Sequence, residues 1–305
     1  AAEAFAHTAR YDRAIADFFA GETAEGPFAG TLNVSLRRRT VLRYGENPHQ
    51  QAALYATSET SGANLISAKQ MNGKELSYNN LLDLDGALAI VRGFTAPAAV
   101  VIKHTNPCGA AEADCTAEAL RLAMAGDPLS AFGSVLGLNR TVDAATAEVL
   151  CEPGLFVEAI IAPDFDDDAF DMLTTRPKWK NNVRLIKVGH IEPSSESWSY
   201  RCLNGGVLVQ QADVLPDPED EWQVVTDVKP NDAQMADLRF AWALVRHVKS
   251  NAIVLAKDRM LLGAGAGQMS RVDSVEIAVK KAGDRSTGSV LASDAFFPFP
   301  DSIEQ

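Results

Sequence analysis

The sequence has little sulfur, no excess of basic residues and no long apolar run. Its four cysteines, Cys108, Cys115, Cys151 and Cys202, share no C-x-x-C spacing. That excludes a zinc ribbon and gives no disulfide framework. Its 28 lysines and arginines face 40 aspartates and glutamates, a net charge of −12, so a nucleic-acid backbone is not the expected partner. A phosphorylated small molecule stays open, because it needs only a few local cations. No apolar stretch nears the ~20 residues of a membrane span, so no membrane association is expected. The opening AAEAFAHTAR has neither the charged nor the apolar block of a signal peptide. The expectation is a soluble, cytoplasmic protein in which the N-x-S/T triplets at Asn33 and Asn139 are chance.

What is present is an ordinary globular composition. The 305 residues are 47% hydrophobic and 22% charged, enough to build one large or two smaller cores without staples. Phe5, Tyr11, Ile15 and Phe18 recur at helical spacing, which predicts an amphipathic helix over residues 2–19 that ends at the Gly-rich GETAEGPFAG. The alternation around Leu65 and Ile66 suggests a strand. Asn79 to Arg92 reads as a helix that starts near Ser77 and carries Leu82, Leu84, Leu88 and Val91 on its apolar stripe. PAAVVIKH is too uniformly apolar for a solvent-facing strand and predicts one buried on both faces. A helix over Thr116–Ala125, a strand over Ser134–Leu138 and a second buried strand in FVEAIIAP follow. PDFDDDAFDML reads as an acidic helix start rather than a calcium loop, because it lacks the EF-hand Gly and terminal Glu. Residues 189–230 carry little pattern and read as a boundary or long connection. Beyond them come a helix at Ala233–His247, a strand at Asn251–Lys257 and a helix at Val272–Lys281. Strands alternating with helices give an α/β fold with sites at strand ends. GSVL occurs in both halves near a lysine-ended strand, an echo with unequal spacing when Lys103 is matched with Lys249.

Three stretches could carry chemistry. In VVIKHTNPCGAA, Lys103 and His104 stand where an apolar strand stops and Thr-Asn-Pro-Cys-Gly is expected to turn the chain. An imidazole there could accept a proton near neutral pH; the bland alternative is a surface lysine beside a turn-capping histidine. Cys108 could be a nucleophile with His104 as base, but a free cysteine is more often a small buried filler. The deaminase zinc pattern fails, since Pro107-Cys108 is followed by Gly109, Ala110 and Ala111. LLGAGAGQMSR misses the dinucleotide fingerprint at Gln268 and Ser270. Its glycines could admit a ligand to the backbone, with Arg271 at a helix start, or simply make a turn. Three phenylalanines among prolines, Phe296, Phe297 and Phe299, suggest a gripped flat ring, with core packing explaining one or two of them.

LRYGENPHQQAALY, GKELSYNNLLDLDGAL, VIKHTNPCGAA, DPLSAFGSVLGLNR, FVEAIIAPDF, KSNAIVLAKDRMLLGAGAGQMSRVDS and GSVLASDAFFPFPDSIE, in this order from about residue 40, resemble the formyltransferase region of the bifunctional AICAR formyltransferase/IMP cyclohydrolase family. A departure is Ser134, where the family more often has a second glycine. The resemblance implies a duplicated cytidine-deaminase-like α/β unit without its zinc. It also implies formyl transfer from 10-formyltetrahydrofolate to the 5-amino group of 5-aminoimidazole-4-carboxamide ribonucleotide (AICAR), with no metal required. It gives His104 the role of base, Lys103 that of transition-state stabiliser and Asn251 that of orienting amide. Arg43, Tyr44, Gly133, Glu158 and Phe296 become nucleotide-binding positions. Arg271 and Asp301 become folate-binding ones, the arginine as a cation for the glutamate tail. Residues 1–20 are expected to be a linking helix from a cyclohydrolase domain, 21–200 a first formyltransferase subdomain and 201–305 a second, cut short before its end. Cyclohydrolase activity is not expected, and a homodimer with sites across its interface is. A deaminase-like nucleotide hydrolase and a non-catalytic nucleotide-binding fragment are the alternatives.

Overall fold

The computed structural model describes every residue except 24, 25, 29, 58, 59, 194–196, 215, 216, 301 and 303–305. The chain divides into two units, Ala1–Arg39 with Tyr55–Ser58 and Thr40–Leu54 with Glu59–Gln305. The first holds helix α1 (Ala2–Thr23), whose Phe5, Tyr11, Ile15 and Phe18 are all exposed. Strands β1 (Arg37–Leu42) and β2 (Ala52–Ala56) cross the division.

The second unit is built on a nine-stranded mixed sheet. In chain order its strands are β3 (Lys69–Asn72), β4 (Ala98–Lys103), β5 (Asn106–Glu112), β6 (Ser134–Leu138), β7 (Val157–Ala162) and β8 (Arg184–Lys187), then β11 (Ile253–Lys257), β12 (Met260–Gly265) and β13 (Val290–Ser293). Across the sheet the order is β13-β11-β12-β5-β4-β6-β7-β8-β3. Only β6, β7 and β8 pair in parallel; the other neighbours are antiparallel. The strands α/β reasoning assigns to the two halves of the chain therefore share one sheet. A separate hairpin joins β9 (Trp198–Leu203) to β10 (Gly206–Gln211), inside the segment whose composition reads as a mere connection.

Alternation along β4 explains the layering. Val100 and Ile102 point to the face covered by α2 (Tyr78–Val91) and α7 (Asp232–Val245), with Leu84, Leu88, Phe240 and Leu244. Ala99 and Val101 point to the opposite face, covered by α3 (Thr116–Gly126), α5 (Ala144–Leu150) and α6 (Asp167–Thr175). Both faces of β4 are sealed, so truncating Ile102 to Ala should cost about 2–5 kcal/mol. Helix α8 (Arg271–Ala282) packs Val275 and Ala278 on Ile253 and Leu255. Among the described residues no helix is long and apolar enough to cross a membrane.

Two runs of elements follow the same order. Apart from the one-turn helix α4 (Pro128–Ala131) after α3 and a 3₁₀ turn (Gly283–Ser286) after α8, α2-β4-β5-α3-β6 is matched by α7-β11-β12-α8-β13, and in each the first strand lies between the other two. Both leading helices start with a reciprocal capping box, Ser77 with Asn80 and Asn231 with Gln234.

Four local expectations change. Leu65 and Ile66 lie in a turn, because the Asn64 side-chain oxygen accepts the Ile66 and Ser67 N–H groups at 2.9 Å each. Leu82 faces outward, 42% exposed, while Ala87 and Ile90 join the buried stripe. Asn106–Gly109 does not turn the chain but opens β5: Val101 pairs with Gly109 and Ile102 with Pro107, a bulge that accommodates the proline. Gly263 and Gly265 make no ligand loop. They sit in β12, where a Cβ would lie 2.1 Å from the Ala278 carbonyl oxygen and 1.9 Å from that of Ser274, so their bareness lets α8 close onto the strand.

Candidate active site

Strand direction gathers most of the singled-out residues at one edge of the sheet. Register pairs Lys103 with Asn106, Ser134 with Val157 and Ala159 with Arg184. The end of β4 and the starts of β5 to β8 therefore lie together. Ile253 pairs with both Gly265 and Ser293, so the entrance to β11 and the ends of β12 and β13 share this edge.

At its centre is the two-residue turn between β4 and β5. His104 and Thr105 have φ of 50° and 62°, the left-handed region. For residues with a Cβ this costs of order 1–3 kcal/mol each and persists only where surroundings enforce it. The enforcing contacts are visible. Thr105 N–H donates to Asp83 Oδ1 at 2.7 Å. Asn106 Nδ2 donates to the His104 carbonyl at 3.1 Å, and Asn106 Oδ1 accepts the Lys249 N–H at 3.2 Å. The last bond ties the turn to the segment that leads into Asn251. His104 is exposed and Lys103 half-buried.

Lys103 Nζ donates to the Phe132 and Gly133 carbonyls at 3.1 and 2.9 Å, which leaves one ammonium proton for the site. Gly133 has φ of 69°, and a Cβ there would stand 3.2 Å from the Phe156 ring and 3.5 Å from Lys103 Nζ. Phe132 is 62% exposed beside it. Glu158 accepts through Oε1 from Asn80 Nδ2 and Arg184 Nη1, both at 3.2 Å. Arg184 is a buried cation whose other terminal nitrogen reaches the Glu75 carbonyl at 3.4 Å.

Arg43 lies with its guanidinium 4.8 Å over the Tyr44 ring and donates to the Tyr44 hydroxyl at 3.1 Å. With Lys74 and Ser77 it lines a cavity of about 230 Å³ at the start of α2. Asn251 is held at both ends of its amide: Nδ2 donates to the Gln268 and Met269 carbonyls at 2.9 and 3.2 Å, and Oδ1 accepts from Arg271 at 2.8 Å. Arg271 also reaches Ser293 Oγ at 2.8 Å and Asp294 at 2.5 Å. Burial opposes the Asp294 charge, yet hydrogen bonds from Ser250, Arg271 and the Ala252 N–H hold its carboxyl below the usual range. Arg271 is thus turned inward onto Asn251, Ser293 and Asp294 of its own chain. Phe296 is 80% exposed just beyond β13, while Phe297 packs on the α8 core. Asp301 lies outside the described residues.

Burial pushes the Cys108 thiol up to about 12, Asp127 adding to the rise. Its S–H faces the Val101 carbonyl at 3.5 Å. Burial thus favours the protonated thiol over the nucleophilic thiolate. Among the described residues no group of three or more His, Cys, Asp or Glu side chains could hold a metal ion.

Sequence reasoning missed Asp83, Asn80 and Arg184. Asn80 sits in the SYNN run and was legible as a capping residue. The other two become visible only through pairing across the fold.

A model of the AICARFT/IMPCHase bienzyme family matches residues 1–281. The chain is similar over its whole length to proteins called bifunctional purine biosynthesis protein PurH: 63% identical to that of Rhodopirellula baltica, 47% to that of Desulfitobacterium hafniense and 46% to that of Oceanobacillus iheyensis. It spans 58%, 59% and 58% of the lengths of these curated relatives. The chain belongs to the AICARFT/IMPCHase bienzyme family.

Proposed function

We propose that this chain transfers the formyl group of 10-formyltetrahydrofolate to the 5-amino group of AICAR, in purine biosynthesis. The observation that carries the reading is the Lys103–His104 pair, held on an enforced turn at the sheet edge where Gly133, Glu158 and Asn251 also converge.

The acceptor amine is conjugated with its ring and carboxamide, so it is a weak nucleophile and needs a base as it attacks. His104 accepts the amine proton while the nitrogen bonds to the formyl carbon. The carbonyl oxygen gains charge, and the remaining Lys103 proton stabilises it. The C–N10 bond of the folate then breaks, N10 takes a proton, and formyl-AICAR and tetrahydrofolate result. Arg43 and Tyr44 are proposed to hold the nucleotide's anionic end, and Glu158 and the Gly133 backbone its polar edges. Phe296 supplies an aromatic wall. Asn251 has both amide protons engaged, so its contact with substrate falls to the second lone pair of Oδ1. Arg271 acts on the folate side by fixing that amide, with Asp301 as a further folate contact.

The matched runs α2-β4-β5-α3-β6 and α7-β11-β12-α8-β13 support reading the fold as two cytidine-deaminase-like units without a zinc site, divided near residue 200. The partners proposed are the nucleotide, the folate and a second copy of the chain, with no nucleic acid. The test is tetrahydrofolate release from AICAR and 10-formyltetrahydrofolate, followed by absorbance. Absence of turnover that depends on both substrates overturns the reading.

A further inference from the structure

We infer that Asp83 is a positioning residue for His104: by accepting the Thr105 N–H, its carboxylate fixes the β4–β5 turn that aims the imidazole into the site. This rests on the formyl-transfer reading for its catalytic consequence, though not for its geometry.

Asp83 sits one and a half turns into α2, six residues past the Ser77 cap, and is half-buried under the turn. Its bond to Thr105 is 2.7 Å, at the short end for an N–H donor, as bonds to a charged acceptor are. Burial raises its carboxyl; the Thr105 N–H and the charge of His104 oppose that, Glu158 adds to it, and Lys103 opposes it. Asp83 therefore feels the named residues of the site without being one of them. Because a left-handed pair of non-glycine residues must be enforced, loss of the acceptor should let His104 swing, and a misplacement of about 1 Å can cost about 10²-fold in rate.

The fold supplies its own control. In α7, Asp237 lies six residues past the Asn231 cap and accepts the Arg259 N–H at 2.7 Å. It brackets the Asp258–Arg259 turn, whose φ values are 55° and 54°. That turn joins β11 to β12 next to Met260, which pairs with Ala111 at the end of β5, so it lies at the opposite sheet edge. If Asp83 were only a scaffold bracket, removing either carboxylate would have the same consequence.

The experiment compares Asp83→Ala, Asp83→Asn and Asp237→Ala in the 305-residue chain, with hydrogen exchange at residues 104–106 and steady-state formyl transfer as readouts. Asp83→Ala should speed exchange at Thr105 and lower kcat about 10²-fold, with AICAR affinity retained. Asp83→Asn, which keeps an acceptor oxygen, should recover most of kcat. Asp237→Ala should loosen its own turn and leave kcat unchanged. Combined with His104→Ala, Asp83→Ala should add no further loss, because both act through one imidazole. Unchanged exchange at Thr105 in Asp83→Ala overturns the inference whatever the activity. Additive losses with His104→Ala, or an equal kcat loss in Asp237→Ala, overturn it as well. A wild-type chain without turnover overturns the function reading and the catalytic consequence together, while the exchange result still decides whether Asp83 holds the turn.

Discussion

The β4–β5 turn and the β11–β12 turn are the same device carrying different residues. In each, a strand ends in lysine, two residues take the left-handed conformation, and a buried-face aspartate accepts the second N–H. The lysines repeat too: Lys103 reaches the Phe132 carbonyl and Lys257 the Thr287 carbonyl, at 3.1 and 3.3 Å. Each stands 3.5 Å from where a Cβ would sit on a left-handed glycine, Gly133 or Gly288. Subtracting what the two have in common leaves His104 against Asp258, Thr105 against Arg259 and Phe132 against Thr287. The aspartate bracket and the lysine clamp are common to both turns. The His104 imidazole and the exposed Phe132 ring are what one edge has and the other lacks.

The largest test of this subtraction replaces the first turn residue in each half by asparagine, which tolerates the left-handed conformation. His104→Asn should lower kcat for formyl transfer about 10²–10⁴-fold, the range of a lost general base, with little change in AICAR affinity by calorimetry. Asp258→Asn should leave kcat within about twofold, as an exposed conservative change does. Comparable losses in both would mean that the halves contribute alike and that the difference in residue identity carries no chemistry.

Next in size are the lysines. Lys103→Arg should lose most activity, because a planar guanidinium cannot repeat a compact ammonium between two carbonyls and a reacting oxygen. Lys257→Arg should cost stability of no more than about 1 kcal/mol, the net scale of one hydrogen bond, and no rate. Stopped assays beside thermal melts separate the two. A Lys103→Arg chain with wild-type kcat would reduce Lys103 to the clamp role that Lys257 plays.

Much of this arrangement was legible before the fold was seen, and the exceptions share a cause. β4 was readable because a strand sealed on both faces must be apolar at every position, and Ala98 to Ile102 are. The α2 start was readable from Ser77 because capping is local. The β4–β5 turn is His104–Thr105 and not the Thr105–Gly109 run, since Pro107 and Gly109 look like turn formers when the bulge opposite Val101 and Ile102 is unseen. The echo between halves is legible in the sequence, but sequence order alone matches Lys103 with Lys249. The pairing that identifies Lys257 as the counterpart of Lys103 exists only in the sheet register. Asp83 was invisible for the same reason: its partner is 22 residues away, across a helix–strand contact. Local grammar reached the elements and their motifs, and pairing across the fold decided which residues serve the site.

Smaller effects are expected at the glycines. Gly133→Ala and Gly288→Ala both force a Cβ into the left-handed region, roughly 1–2 kcal/mol each. Gly133→Ala also pushes on the Phe156 ring at 3.2 Å and on the lysine whose proton faces the site. It should lose both stability and kcat, and Gly288→Ala stability alone. Equal kcat in the two purified variants would argue that the β6 entrance is not part of the reacting geometry.

The smallest effect is expected at Cys108, which lies in the bulge between the site edge and the core. Burial comes first among the causes that push its thiol up to about 12. The folded protein therefore favours the protonated form, and thiolate is scarce at any pH below that value, including pH 8. Cys115 and Cys202 are exposed, so iodoacetamide at pH 8 should modify them well before Cys108, as peptide mass mapping over time would read out. Cys108→Ala removes one sulfur and a weak S–H contact with Val101, without touching the turn, the lysine clamp or the Asp83 bracket. Its kcat should stay near wild type. A folded, AICAR-binding Cys108→Ala chain without activity, or Cys108 labelled as fast as Cys202, would return the thiol to the chemistry and undo the division between scaffold and site.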